Sequence, residues 1–309
     1  FCESRRLRYV AGHSSDTRPI LIDCVVRQVI ALLTPSLPKK LCSVEPTMST
    51  TSVPAFPGFL EEMTVEQVRA FDPEIVVLPL GSTDPHGPPL PLGTDCFQVT
   101  RLCHMAVRSA NENGARALLY PTLPITNNVN FRHFPFALRV GVRTLMQMLI
   151  DIVSQCWDDG IRKVVFVNGH GGNPATLDAT LREIAGMDNM PFVCWTWGAW
   201  PEGVEYPIEH ASDHGGEDET SRMLWIRPDL VRQDRMTNNP FGQLRIPGLL
   251  KSAKFVRPWH LYVPESAGGE TRASSAEKGQ TILANTSTQL SNLLVELSAE
   301  PWDERFPYV

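Results

Sequence analysis

Apolar residues run almost without a break through 75–80 (Ile-Val-Val-Leu-Pro-Leu) and 163–167 (Lys-Val-Val-Phe-Val). Continuous runs of this kind predict strands buried on both faces, in place of the alternating pattern of a strand with one wet side. Shorter runs at 117–120 and 192–197 add two more strands. Between them apolar positions recur at helical spacing. Leu145, Met148, Leu149, Ile152 and Val153 mark a helix over 143–157, and further helices are expected from about 95 to 111, over 176–184 and over 219–226. The spacing Thr64…Gln67 has the form of a capping box and predicts a short helix over 64–71. Strands alternating with helices long enough to serve as crossovers define the α/β class, here a three-layer α/β/α sandwich with a mainly parallel sheet. Ligands of such sheets sit beyond the carboxyl ends of the strands, so the loops that follow residues 80 and 167 are where chemistry is expected.

Composition narrows the functional classes. The chain has 309 residues, with 28 Lys and Arg against 34 Asp and Glu, a formal charge of −6 and no visible cationic stripe, which argues against a nucleic-acid partner. Its longest apolar stretch, 19–33, carries Asp23 and Arg27 and stops at Pro35, too short and too charged to cross about 30 Å of hydrocarbon, so no membrane association is expected. Seven cysteines without a CxxC pair do not make a disulfide scaffold and point to a reducing, cytoplasmic setting. Residues 1–47 hold seven basic and four acidic groups, whereas the other 262 residues carry −9, and Met48 stands at this change. The segment reads as a poorly ordered or upstream extension, with Arg5, Arg6 and Arg8 giving it a weak likeness to a transit peptide. Residues 48–309 are then one catalytic domain.

Three polar stretches carry the candidate chemistry. The first, Gly81 to Asp95, contains Asp84, His86 and Asp95 among several prolines. In extended chain positions i and i+2 point the same way, so Asp84 and His86 can address one point, while Asp95 opens a helix and could simply serve its N-terminus, with Thr94 or Asp95 as N-cap. The second, Asn168-Gly169-His170-Gly171-Gly172, follows a buried strand; its glycines fit a close backbone approach to a ligand, but no Walker pattern supports a nucleotide. The third runs from His210 through His214, Glu217 and Glu219 to Ser221. Acids there complement a helix start, which leaves His210 and His214 unexplained. Carboxylates and imidazoles without thiolate are the donor set of catalytic Zn, Mn or Fe rather than of a structural zinc site.

Together these stretches resemble the creatininase (creatinine amidohydrolase) family, whose pattern joins a Gly-Ser-x-Glu-x-His-Gly loop ending in Asp, an Asn-Gly-His loop and a His-[Ala/Gly]-Gly-x-x-Glu-Thr-Ser segment. His133-Phe134-Pro135 and Ala276-Glu277-Lys278-Gly279 match two further stretches, and the likeness covers about 59–293 in the same order. The resemblance implies a hydrolase of a small molecule's C–N bond, most simply a cyclic amide, acting through a metal-activated water. It implies two divalent ions per subunit (Zn, Mn or Fe) held by Asp84, His86, Asp95 and His170, with Asp95 bridging, His214 as general acid/base, and a homo-oligomer, hexameric by family likeness. Relatives also deformylate formamidopyrimidines, cleave short peptides or open carbocyclic ketones.

The sequence departs from the family at several positions. Asp84 stands for Glu, Pro89 for a second His, and Gly172 for a Glu that completes a metal shell. Glu217 is the candidate replacement, as ligand and as catalytic group, because 214, 217 and 221 would share a helical face; Glu219 is the alternative. Phe136-Ala137 replaces Gly-Thr and is expected to reshape the pocket, and His210 takes the place of a substrate-side Trp. Trp197, His210 and His133 are the candidate substrate contacts, with plain core packing as the other reading for the tryptophans. These departures point away from creatinine itself. A non-catalytic metal or small-molecule binder on the same fold is the rival.

Overall fold

The computed structural model describes residues 58–210 and 214–309; the expected extension over 1–47 lies outside the described residues. Four parallel strands form its sheet, β1 (Ile75–Leu80), β2 (Ala117–Leu119), β3 (Lys163–Asn168) and β4 (Phe192–Thr196), in the order β2-β1-β3-β4. Five helices surround it: α1 (Val65–Phe71), α2 (Thr94–Glu112), α3 (Val142–Asp158), α4 (Pro174–Ile184) and α5 (Glu217–Ile226), followed by the long C-terminal α6 (Ala276–Ala299). The capping box of α1 is complete, Gln67 donating its backbone N–H to Thr64 Oγ1 and accepting at Oε1 from the Thr64 N–H.

The pleat explains the continuous apolar runs. Ile75, Val77, Val165 and Val167 face one core with Val99, Leu102, Ala106 and Val107 of α2 and Leu283, Leu290 and Leu294 of α6. Their neighbours Val76, Leu78, Val164 and Phe166 face a second core with Leu145, Leu149 and Val153 of α3 and Leu177 of α4. Both sheet faces are therefore dry and the α/β/α sandwich is realised.

Two boundaries differ from the expectation, with consequences for the site. Gly93 is the N-cap of α2; Thr94 lies inside the helix with its hydroxyl on the Pro91 carbonyl at 2.7 Å, and Asp95 sits in the first turn. Helix α5 starts at Glu217, two residues early, while His214 pairs with Gly268 in an isolated bridge and is not helical. The C-terminal helix α6 was not expected from periodicity at all. Its buried side includes Gly279, Thr286, Ser287 and Ser291, so the apolar stripe is diluted. That small, polar face lets α6 lie directly on α5: a Cβ at Gly279 would fall 2.0 Å from the Ser221 carbonyl oxygen.

Candidate metal centre

β1 and β3 lie side by side, and the loops leaving their carboxyl ends bring Asp84, His86 and His170 over the first turn of α2, where Asp95 projects. All four side chains are buried. Asp95 divides its two oxygens between the histidines, Oδ1 at 3.0 Å from His86 Nε2 and Oδ2 at 2.7 Å from His170 Nδ1. Each imidazole is held from behind by a backbone carbonyl: His86 donates from Nδ1 to the Asp84 carbonyl at 2.9 Å, and His170 from Nε2 to that of Asn127 at 3.2 Å. The other ring nitrogens, His86 Nε2 and His170 Nδ1, therefore point at the carboxylate; burial works against their charged forms, but Asp95 and Asp84 prevail and raise both imidazoles. Asn168 clasps the second loop, accepting from the His170 N–H at Oδ1 (3.1 Å) and donating from Nδ2 to the His170 carbonyl (3.0 Å). Gly169 is required there, since a Cβ would come within 2.8 Å of Val99 Cβ on α2.

Donor atoms gather in overlapping triads, Asp84–Asp95–His170 and His86–Asp95–Glu219, with the atoms of each within 4.8 Å of one another; a third, Asp84–His86–His214, adjoins them. Asp95 belongs to both of the first two. A divalent cation fits this arrangement on two grounds. Both carboxylate oxygens of Asp84 are buried without a hydrogen-bond partner, a costly state for an anion that ligation relieves. The donors are oxygens and imidazole nitrogens, suited to Zn, Mn or Fe; the neighbouring Cys96 gives its Sγ to the Ser82 carbonyl, and burial with Asp95 nearby pushes its thiol up to about 11.

The electrostatics are those of crowded anions in a dry site. Burial raises Asp84, opposed by His170 and His86. Burial also works against ionised Asp95, but His86 and the His170 hydrogen bond prevail and hold it below the usual carboxylate range. Glu219 is pushed up to about 7 by burial and by Asp95, against the pull of His86. His214 is held well below the usual imidazole range by burial and by His86, so its ring is neutral near pH 7. Its Nε2 donates to the Pro85 carbonyl at 2.7 Å, which leaves Nδ1 as the nitrogen able to take a proton.

Glu217 is a correction. It is fully buried, but its oxygens are taken by Lys278 Nζ at 2.7 Å, the His210 N–H at 2.8 Å and His210 Nδ1 at 3.0 Å, away from the triads. Because α5 begins at 217, residues 217 and 219 are about 200° apart around its axis, so Glu219 faces the histidines and Glu217 faces α6. The helical relation assumed between 214 and 217 does not exist, as His214 precedes the helix.

A cavity of about 370 Å³ opens beside the triads, lined in part by His214, Glu219, Trp197, Trp200, Tyr206 and Arg222. Trp197 is 45% exposed on its wall, placed for a ligand more than for the core. His210 and His133 do not line it; His210 is turned onto Glu217, and His133 borders another, smaller cavity. Nor does Phe136 reshape this cavity: it is 80% exposed in a left-handed conformation (φ 60°), outside the lining. Two further groups complete the surroundings: Trp259, which stands edge-on to His214 at 4.8 Å beside Phe131, and the Asn127 carbonyl that orients His170. Neither is marked by a local motif.

Gly172 touches the same tether: a Cβ there would lie 2.3 Å from the Asn127 oxygen and 2.5 Å from His170 Nε2. Gly172→Ala is expected to lower stability by about 1–3 kcal/mol and to weaken metal retention, read from thermal melting and metal content. An unchanged melt with full metal would show that the loop yields freely.

The creatininase (creatinine amidohydrolase) family model matches residues 61–294. The chain belongs to the creatininase family. It is 32% identical to the mycofactocin precursor peptide peptidase of Mycobacterium ulcerans over 74% of this chain and 86% of that protein. It is 24% identical to the 3-dehydro-scyllo-inosose hydrolase of Thermotoga maritima over 81% of this chain and 85% of that one. Among solved structures, a manganese form of creatininase superposes with a TM-score of 0.60 at 25% identity, over 79% of this chain and 99% of that one.

Proposed function

We propose that this chain is a metal-dependent hydrolase that cleaves an amide-type C–N bond of a small molecule with water, using two divalent ions (Zn, Mn or Fe) held by Asp84, His86, Asp95, His170 and Glu219. One observation carries the reading: two imidazoles fixed on backbone carbonyls turn their other ring nitrogens toward the two oxygens of a single buried carboxylate. Ions held there would supply Lewis acidity and a water that ionises near neutral pH.

The chain's own groups supply the rest. Neutral His214, which lines the cavity with its Nε2–H on the Pro85 carbonyl, is the group to take a proton from the attacking water and return it to the departing nitrogen. Phe131 and Trp259 wall its ring, at centroid distances of 5.1 and 4.8 Å, and keep water from competing for it. Trp197 offers a flat face to a ring or planar amide. A cyclic amide is the favoured substrate; the peptidase relative supports a short peptide as the second reading.

The test is a panel of cyclic amides and short peptides offered to protein purified without chelator, alongside elemental analysis. Hydrolysis that disappears on chelation and returns with zinc or manganese is expected. Metal-replete protein inert toward every amide, with His214→Ala indistinguishable from the parent, would favour a non-catalytic binder.

A further inference from the structure

The cavity of about 370 Å³ beside the triads carries a second polar group besides His214 and Glu219: Tyr206, Asp218 and Arg222 also line it. Glu219 and Arg222 stand three residues apart on α5, hence on one face of the helix, with a rise of about 4.5 Å between them. A ligand held at the triads by one end therefore meets Arg222 within a few atoms of its reacting bond. Among the described residues no other lysine or arginine lines the cavity.

The Arg222 guanidinium is fixed along one edge and unused along the other. Its Nε is ion-paired to Asp218 Oδ1 at 2.5 Å, while Nη2 donates to Asp218 Oδ2 at 3.1 Å and to the Tyr206 hydroxyl at 3.2 Å. Tyr206 in turn donates to Asp218. Burial and Asp218 push the phenol up to about 12 against the pull of Arg222, so it keeps its proton. Burial works against charge on Arg222 as well, but Asp218 and Tyr206 prevail. Both N–H groups of Nη1 are without a partner among the described residues.

We propose that Arg222 is a substrate-binding residue whose Nη1 takes an acceptor oxygen carried by the substrate close to the amide that is cleaved. This rests on the hydrolase reading above and narrows its substrate to a small ring bearing a second carbonyl or a carboxylate. A cavity of this volume lies at the small end of ligand sites, about 300–1,000 Å³, which suits a single ring. Asp218 and Tyr206 hold the fork before any ligand arrives, so little side-chain freedom is lost on binding.

The test compares three five-membered rings by calorimetry on the metal-loaded full chain: 2-pyrrolidinone, which has the amide alone, hydantoin, with a second carbonyl, and pyroglutamate, with a carboxylate. Hydantoin or pyroglutamate is expected to bind about tenfold or more tighter than 2-pyrrolidinone. Arg222→Gln is expected to abolish that preference while its metal content stays that of the parent. Preference for hydantoin marks a neutral acceptor and preference for pyroglutamate a carboxylate, and both support the site. Should Arg222→Gln fold poorly with Asp218 left unpaired, Asp218→Asn/Arg222→Gln strands no charge, and the same loss of preference is expected. No binding of any ring, equal affinity for all three, or a preference that survives in a folded variant would overturn the role of Arg222. The hydrolase reading fails separately: a preference lost in Arg222→Gln, with no ring or peptide turned over by the parent, would leave Arg222 a ligand contact on a non-catalytic binder.

Discussion

Asp95→Ala is expected to lower turnover by at least about 10³-fold, because it removes the side chain shared by the Asp84–Asp95–His170 and His86–Asp95–Glu219 triads and with it the activation of water near neutral pH. Elemental analysis should show both ions lost together. Two imidazoles would remain, still tethered by the Asp84 and Asn127 carbonyls but with no common anion between them. Asp95→Asn separates charge from shape: one amide oxygen can still face a histidine, so partial occupancy of one triad is expected with activity still lost. Retention of both ions and of hydrolysis in Asp95→Ala would remove the bridging role and the proposed two-ion centre with it.

The second large effect is on folding. Lys278 of α6 joins Glu217 at 2.7 Å and Glu209 at 2.6 Å, and it donates to the Ala273 carbonyl at 2.9 Å. Glu217 is wholly buried, so Lys278→Met strands a carboxylate whose remaining partners are the His210 ring and two backbone N–H groups, Glu209 and His210. A loss of about 3–5 kcal/mol is expected in denaturant or thermal unfolding. A Glu217→Leu/Lys278→Met pair should recover much of it, since two apolar groups need no compensation. If the single variant unfolds at the parent's midpoint, the bridge does not fasten α5 to α6.

Most of the sandwich was legible in the sequence because its strands are buried on both sides. Val164 to Val167 and Ile75 to Leu80 leave no polar face to confuse the period, and α3 has a clean apolar stripe. Helix α6 escaped because its buried side includes Gly279, Thr286, Ser287 and Ser291, residues that carry little hydropathy; Gly279 permits close approach to α5 and Ser291 bonds Ser109 of α2. In the site, Asp84, His86, Asp95 and His170 could be picked out, since the first two and His170 stand beside glycine or proline in loops after strands and Asp95 at a helix start, and the structure brings them together. The choice between Glu217 and Glu219 could not be made from spacing alone. It turns on where α5 begins, and a shift of two residues rotates a side chain to the opposite side of the axis. Trp259 and the Asn127 carbonyl are supplied by segments far along the chain, and no local pattern announces a backbone acceptor.

The donors come from the loop after β1, the first turn of α2, the loop after β3 and the first turn of α5. The first two of these are neighbours in the chain, but His170 and Glu219 join them only once β1 and β3 have paired and α5 has packed. A two-ion centre of the proposed kind would therefore be completed on a chain already folded, unlike a zinc finger whose fold waits on its metal.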